Sequence, residues 1–347
     1  MPVTLTKLSD LAALPFDEII DVRSPAEYAE DQIPGAISLP ALSNEERARV
    51  GTIYVQDDPF KARKIGAALV SRNVATHLEG SLADREGGWK PLVYCWRGGQ
   101  RSGSVAIILK QIGWRADTVD GGYQSYRRMV AKALYDSDMP CPIVVIDGGT
   151  GTAKTRLLHH IADQGGQTLD LEAMAEHRGS LFGPLGDTQP SQKAFESRLA
   201  MGMAKLTPER PVYVEAESSK IGRLIIPPTL WQAMIQAPNL RITAPLKDRA
   251  AHTLTAYPDM LENGDKLDAV LEQMTRYHGH GLVADWRTLA AEGNYHALAT
   301  QLIETHYDPR YTRISRAQAP EAQPIDLPDL SEETLATTAA TIIASEQ

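Results

Sequence analysis

The chain has 347 residues and a formal net charge of −9, from 35 Lys and Arg against 44 Asp and Glu. Apolar residues make up 43%, enough for packed cores in two or three domains, which excludes a disordered or fibrous chain. The acidic balance excludes a general attraction to nucleic acid, so an RNA partner would have to meet a local basic strip.

The first residues, "MPVTLTKLSD", lack the charged head and greasy core of an export signal. No apolar run approaches the roughly 18 residues needed to span a membrane. Two cysteines, Cys95 and Cys141, support neither a disulfide scaffold nor a zinc or iron–sulfur site, and a reducing cytoplasm is expected. In chain order, "FDEIIDVR" reads as a strand ending at Asp21, and "SPAEYAEDQIPGAISLP" as a helix turn and a Pro/Gly loop. Residues 44–75 are partly periodic and read as helix. "PLVYC" is a second strand, and "SGSVAIILKQIG" a helix that stops at Gly113. "ADTVDGG" is a short strand and turn, and "YQSYRRMVAKALYD" an amphipathic helix. "SDMPCP" marks a boundary, so the first domain is placed at 1–137. The strand "IVVID" then runs into "GGTGTAKT" and the helix "RLLHHIADQ". Further on come the helix "SQKAFESRLAMGMAKL", the strands "PVYVEAES" and "NLRITAP", and helices over 259–278 and 285–303. This second α/β domain is placed at 138–316. The Pro-rich, acidic stretch 317–329 reads as a flexible connector before a short helix. No internal repeat is present.

Cys95 sits where a strand ends, and Arg101 where a helix begins. Trp96, Arg97, Gly98, Gly99 and Gln100 lie between. Two glycines let the backbone wrap, and the helix start adds its positive end, which together form an anion cradle over the sulfur. That field favours thiolate over thiol. Arg101 can grip an oxyanion with its planar fork, and Arg97 adds charge at the rim. Such a sulfur is a nucleophile able to take a phosphoryl group, sulfur or selenium. A buried structural cysteine is the plainer alternative. "CWRGGQRS", "DVRSPAEYAEDQIPGAISLP" and "DGGY" together resemble the rhodanese superfamily over about residues 5–135. The ordinary sulfurtransferase loop has one residue fewer between its Cys and Arg. The five residues here are similar to those of rhodanese-like phosphatases and arsenate reductases, a width that suits a tetrahedral anion.

"GGTGTAKT", comprising Gly148, Gly149, Thr150, Gly151, Thr152, Ala153, Lys154 and Thr155, nearly fits the phosphate-loop pattern G-x-x-x-x-G-K-[ST]. Its amides should cradle a diphosphate, Lys154 should reach the terminal phosphates, and Thr155 would touch Mg²⁺ if a metal is used. Ala153 replaces a glycine and fits if φ there is negative. Of Glu215 and Glu217, only one can face the loop if the strand stays extended. Glu217, Lys220 and Arg223 cluster after that strand, at the edge where ligands sit in open α/β sheets. His177 and Arg178 fall in a similar segment, although His177 alone would more often cap a helix end.

"YCWRGGQRSGS", "GGTGTAKT", "LDLEAMAEHRGSLFG" and "VEAESSKIGRLIIPP" in one chain resemble the bacterial tRNA 2-selenouridine synthases over about residues 5–315. The resemblance implies a rhodanese-like parallel-sheet domain followed by a P-loop NTPase-like α/β domain. It implies action on wobble 2-thiouridine in the tRNAs for Lys, Glu and Gln. Geranyl diphosphate would first alkylate the sulfur. Selenium from selenophosphate would then replace the geranylthio group through a selanyl intermediate on Cys95. Lys154 and Thr155 match that family's phosphate-loop residues. A selenophosphate-supplying enzyme is a candidate partner, no tightly bound cofactor is expected, and a monomer is expected. Trp96 is a candidate stacking platform for the base. The basic strip would draw on Arg127, Arg128, Lys132, Lys220, Arg223, Arg241, Lys247 and Arg249. The run "LIIPPTLW" is a candidate for part of a hydrocarbon pocket. Rival readings are a rhodanese-type phosphatase or arsenate reductase, an ATP-dependent tRNA sulfurtransferase, and a non-catalytic tRNA-binding protein.

Overall fold

Four short parallel strands carry the first part of the chain. The structure, a computed structural model, describes residues 2–180, 182–183, 188–311 and 323–345. Up to the boundary stretch the elements are α1 (Asp10–Ala13), β1 (Glu18–Asp21), α2 (Pro25–Glu30), β2 (Ile37–Ser38), α3 (Asn44–Gln56), α4 (Pro59–Glu79), β3 (Pro91–Tyr94), α5 (Gln100–Ile112), β4 (Asp117–Thr118) and α6 (Gly122–Tyr135). The sheet order is β2-β1-β3-β4, and every neighbouring pair is parallel. β3 is buried along its whole length, as a near-continuous apolar run in a covered parallel sheet should be. The β1–β3 register sets Asp21 beside Tyr94. The residues that leave both strands therefore emerge side by side at one sheet edge. Helices α2 and α3 begin at Ser-x-x-Glu boxes: the Ser24 N–H donates to Glu27 Oε2 at 3.0 Å, and the Ser43 N–H to Glu46 Oε2 at 2.9 Å. The core gathers Ile20, Val22, Val93, Val105 and Leu109 from the sheet and α5 with Leu69, Val70 and Val74 from α4.

The second part runs β5 (Ile143–Gly148), α7 (Lys154–Asp163), β6 (Gln167–Leu169), α8 (Leu171–Ala175), α9 (Gln192–Met203), β7 (Val212–Glu215), β8 (Lys220–Ile221), β9 (Leu224–Ile225), α10 (Pro228–Gln236), β10 (Asn239–Thr243), α11 (Leu246–Ala256), α12 (Pro258–Leu261), α13 (Gly264–Gln273), α14 (Thr275–Ala291) and α15 (Tyr295–Leu302). A π-helical turn, Ile303–Tyr307, extends α15, and β11 (Gln323–Asp326) and α16 (Glu332–Ser345) close the chain. The five-stranded sheet has the order β11-β10-β5-β7-β6 and is parallel throughout. Its core joins Val144 and Ile146 of β5, Leu157, Leu158 and Ile161 of α7, and Leu335, Ala339 and Ile342 of α16. A second core of helices holds Met260, Leu271, Met274 and the fully buried Trp286.

The chain divides into two compact units, Met1–Ser137 with Pro190–Lys205, and Asp138–Gln189 with Leu206–Gln347. Helix α9 thus belongs to the first unit, where it packs on α6. Ser197 Oγ of α9 donates to Asp31 Oδ2 at 2.9 Å, the Tyr135 hydroxyl donates to Glu196 Oε1 at 2.6 Å, and Arg127 pairs with Glu196. The expected connector 317–329 needs correction. Residues 317–322 lie outside the described residues, whereas 323–326 pair in register with β10 as an edge strand, a place that tolerates Pro324. Leu327 and Leu330 are buried behind it. Among the described residues, no helix is long and apolar enough to cross a membrane.

Candidate functional site

The first candidate site forms where β3 ends. The Tyr94 hydroxyl donates to Asp21 Oδ2 at 2.7 Å and accepts the Ile33 N–H at 3.1 Å. Asp21 also holds the buried Arg23, with Nη2 to Oδ2 at 2.6 Å. This rigid base fixes the next residue, Cys95, which is 4% exposed. Its sulfur lies 3.2 Å from Ser102 Oγ on the first turn of α5. The Ser102 hydroxyl is thus the partner of the sulfur, a contact that the spacing of Cys95 and Arg101 alone does not reveal. Among the described residues, no backbone N–H from 96 to 101 donates to a protein acceptor. These donors remain free for an anion, as at other helix starts. Gly98 has φ +66°, and a Cβ there would meet the Val119 carbonyl at 2.5 Å. Only glycine lets the loop lie this close to the turn after β4.

Arg101 is half-buried and already paired. Its guanidinium donates to both Glu27 oxygens, at 2.8 and 3.3 Å. Burial works against ionisation of Glu27, but Arg101 and Ser24 outweigh it and hold that carboxyl down at about 2. Glu27 thus caps α2 and occupies the arginine fork that an anion would take. Arg97 and Gln100 are exposed at the rim. Trp96 is half-buried and tilted on the Tyr123 ring at 5.3 Å between centroids. With Gln124, Arg127 and Arg128 it borders a cavity of about 490 Å³. Two members of the expected basic strip therefore meet the expected platform. Arg241 faces Asp147 at 3.8 Å instead, and Arg249 is bound by Asp308 at 2.6 Å.

The second candidate site lies between β5 and α7. The Gly149, Thr150 and Gly151 amides donate to no protein acceptor among the described residues. Lys154 Nζ folds back to the Gly148 carbonyl at 2.8 Å. Thr152 Oγ1 closes the loop on the Gly149 carbonyl at 2.8 Å. Gly151 has φ +80°, and a Cβ there would strike the Arg249 carbonyl at 2.5 Å. The expected negative φ at Ala153 is corrected: it sits at φ +60°, in the left-handed region. The loop keeps the conformation its usual glycine would have, and the methyl bears the strain.

Gly148, Thr150 and Lys154 open onto a cavity of about 550 Å³, which Glu172, Arg178, Glu217, Trp231 and Arg310 also line. Both Glu215 and Glu217 come to the loop, which corrects the expectation of one: residues two apart along extended backbone point to the same face. Glu172, Glu215 and Glu217 place carboxylate oxygens within 4.8 Å of one another. Burial and the neighbouring carboxylates push Glu172 up to about 9; burial and Glu215 push Glu217 up to about 7; burial raises Glu215 too, against the pull of Lys154. Three hard oxygen donors beside the Thr155 hydroxyl, which bonds Glu215, form a set that Mg²⁺ accepts. Glu172 was missed as a site residue because it lies far from Glu215 in the chain.

Arg178 joins the cavity wall, stacked over Tyr257 at 4.7 Å and paired with Asp259 at 2.9 Å. His177 stays behind it: its Nδ1 accepts the Gly179 N–H at 3.0 Å, and burial lowers its proton affinity. Lys220 is exposed on the β8–β9 hairpin, and Arg223 binds the Gln189 carbonyl; neither lines the cavity. Of "LIIPPTLW", Trp231 reaches the cavity, whereas Leu224, Ile226 and Leu230 are core. Leu181, within "LDLEAMAEHRGSLFG", lies outside the described residues. Cys141 is buried, which pushes its thiol up and suits a structural role.

A cysteine loop on one parallel sheet and a glycine-rich strand-to-helix loop on another, each with amides that have no protein acceptor among the described residues, define a two-domain α/β protein. Residues 4–129 match the rhodanese-like domain, and residues 141–280 match the tRNA 2-selenouridine synthase AAA domain. A tRNA 2-selenouridine synthase of Aeromonas salmonicida is 39% identical over 70% of this chain and 66% of its own length. Those of Pseudomonas syringae pv. syringae and Bdellovibrio bacteriovorus are 34% and 32% identical, over 72% and 78% of this chain and 68% and 76% of theirs. The chain belongs to the tRNA 2-selenouridine synthase family, with a rhodanese-like parallel-sheet domain followed by an α/β AAA-like domain. It spans 66% of the length of the Aeromonas salmonicida and Nitrosomonas europaea relatives.

Proposed function

We propose that the protein is a tRNA 2-selenouridine synthase that works in two steps on wobble 2-thiouridine. In the first, the thiouridine sulfur attacks C1 of geranyl diphosphate, the C–O bond breaks, diphosphate leaves with the electron pair and the base loses its N3 proton. Alkylation turns a poor leaving atom into one that departs as a thiol. In the second, the Cys95 thiolate attacks the phosphorus of selenophosphate and the P–Se bond breaks. The released hydrogen selenide attacks C2 of the base, the C2–S bond breaks and geranylthiol departs with the proton. Water then hydrolyses the cysteinyl phosphate to phosphate, whereas a selanyl group on Cys95 would need a two-electron oxidant. The observation that carries this reading is a pair of loops with unbonded amides in one chain of this family, one over a cysteine and one beside Lys154.

The free amides of Gly149 to Gly151, with Lys154, suit a departing diphosphate, because charge that develops there meets donors already in place. Arg178 and Arg310 add positive charge to the same cavity. Thr155 and Glu215 would hold Mg²⁺, which would supply further charge to the leaving group. At the other site, the amides of 96–101 suit the phosphorus end of selenophosphate, and Arg101 joins them only by releasing Glu27. Ser102 suits stabilisation of the sulfur by a hydrogen bond. Trp96 and Tyr123 offer ring faces to an unstacked base.

Mass analysis of 2-thiouridine tRNA, with geranyl diphosphate added first and selenophosphate second, tests the reading. Cys95→Ser is expected to abolish selenium insertion and leave geranylation measurable. Lys154→Ala is expected to cut geranylation by about 100-fold, the scale for a lost oxyanion-type contact. Full geranylation by Lys154→Ala would remove the role given to the loop. The width of the Cys95–Arg101 loop favours one rival, a phosphatase. Release of phosphate from an aryl phosphate, lost in Cys95→Ser and without selenium transfer, would establish it.

A further inference from the structure

The cavity beside the phosphate loop has a neighbour. A slot runs between α11, α12, α13 and α15, lined by Leu254, Tyr257, Met260, Leu267, Leu298 and Leu302. Thr150 of the loop and Tyr307 line both spaces, so the slot continues from the place where a diphosphate would lie. Two of its polar side chains are already engaged. Thr253 Oγ1 donates to the Arg249 carbonyl at 2.8 Å, and the Tyr257 hydroxyl meets Ser180 Oγ at 3.0 Å. Burial keeps the Tyr257 and Tyr307 phenols protonated. A nucleoside here would bury its base edge and ribose hydroxyls without partners, a heavy cost that a hydrocarbon does not incur. The slot is also narrow, with about 60 Å³ of interior space against about 550 Å³ for the cavity. It admits a thin chain rather than a ring, and the flexible Met260 side chain is suited to give way.

We propose that this slot seats the hydrocarbon arm of an allylic diphosphate whose phosphates lie on the Gly149–Gly151 amides and Lys154, and that its depth selects chain length. The inference rests on the function proposed above and adds the residues that read the chain. Among them, Leu254 borders the slot from α11 while half-buried. Met260 is 2% exposed, so shortening it lengthens the slot.

The test is binding to the full chain, with geranyl diphosphate and inorganic diphosphate titrated separately. Leu254→Trp, which narrows the slot, is expected to weaken geranyl diphosphate by about tenfold or more and to leave inorganic diphosphate within about twofold. Met260→Ala is expected to move the preference towards farnesyl diphosphate by about fivefold or more over geranyl. Three results would overturn the proposal: parent protein that binds geranyl diphosphate no tighter than inorganic diphosphate, equal changes for both ligands in Leu254→Trp, or unchanged chain-length preference in Met260→Ala. Binding that behaves as expected without any transfer to tRNA would count against the proposed reaction alone.

Discussion

At Ala153 a methyl group stands where the backbone wants none. The left-handed conformation costs an alanine about 1–2 kcal/mol. Glycine would remove that strain, but it loses more freedom on folding and gives up a buried methyl, each worth up to about 1 kcal/mol. Ala153→Gly is therefore expected to stay within about 1 kcal/mol of the parent in urea unfolding at an unchanged slope. Ala153→Val, branched at a positive φ, is expected to lose about 2 kcal/mol or more. Equal midpoints for the parent and Ala153→Val would mean that the loop is not held as described. The carboxylates beside it set a pH dependence. Glu172 and Glu217 have folded values of about 9 and about 7, against 4.5 for the ordinary group. Above pH 4.5 the unfolded chain gives up protons that the folded chain keeps, so stability falls as pH rises towards 7–9. Glu217→Gln is expected to recover on the order of 1–3 kcal/mol at pH 8 and little at pH 4.5. Parallel stability curves for parent and variant would contradict this.

Among the elements, those that carry the two loops were legible, and for one reason. "PLVY" and "IVVI" are apolar runs with a glycine pair after three and one intervening residues, and a buried parallel strand feeding a tight turn has that signature. β11 escaped notice because "QPID" is short, polar and interrupted by proline, and its strand character comes from β10 alongside it. Helix α9 was legible as a helix but not as part of the first unit. Its buried Glu196 and Ser197 are explained by Arg127 and Asp31, partners placed much earlier in the chain. The carboxylate group beside Lys154 was half legible. Glu215 and Glu217 stood out at a strand end and, two apart, share a face, but Glu172 reaches them only through the tertiary fold.

For the whole molecule, the composition of the units decides which fragments can stand alone. Residues 1–137 without α9 leave Asp31, already short of a partner for Oδ1, without Ser197, and leave Arg127 without Glu196. Buried polar groups abandoned in this way cost about 1–3 kcal/mol each. A fragment of 1–137 is expected to unfold at lower urea than the same fragment joined by a flexible linker to 190–205, as read by circular dichroism. Coincident curves would show that α9 contributes nothing to the first unit.

The helix that completes the cysteine-bearing half is threaded from the sequence of the other half. A protease that cut once between Ser137 and Asp138 would sever the peptide and still release no product, because the larger piece keeps its α9 docked inside the smaller one. The two pieces would travel together through a sizing column and separate on a denaturing gel.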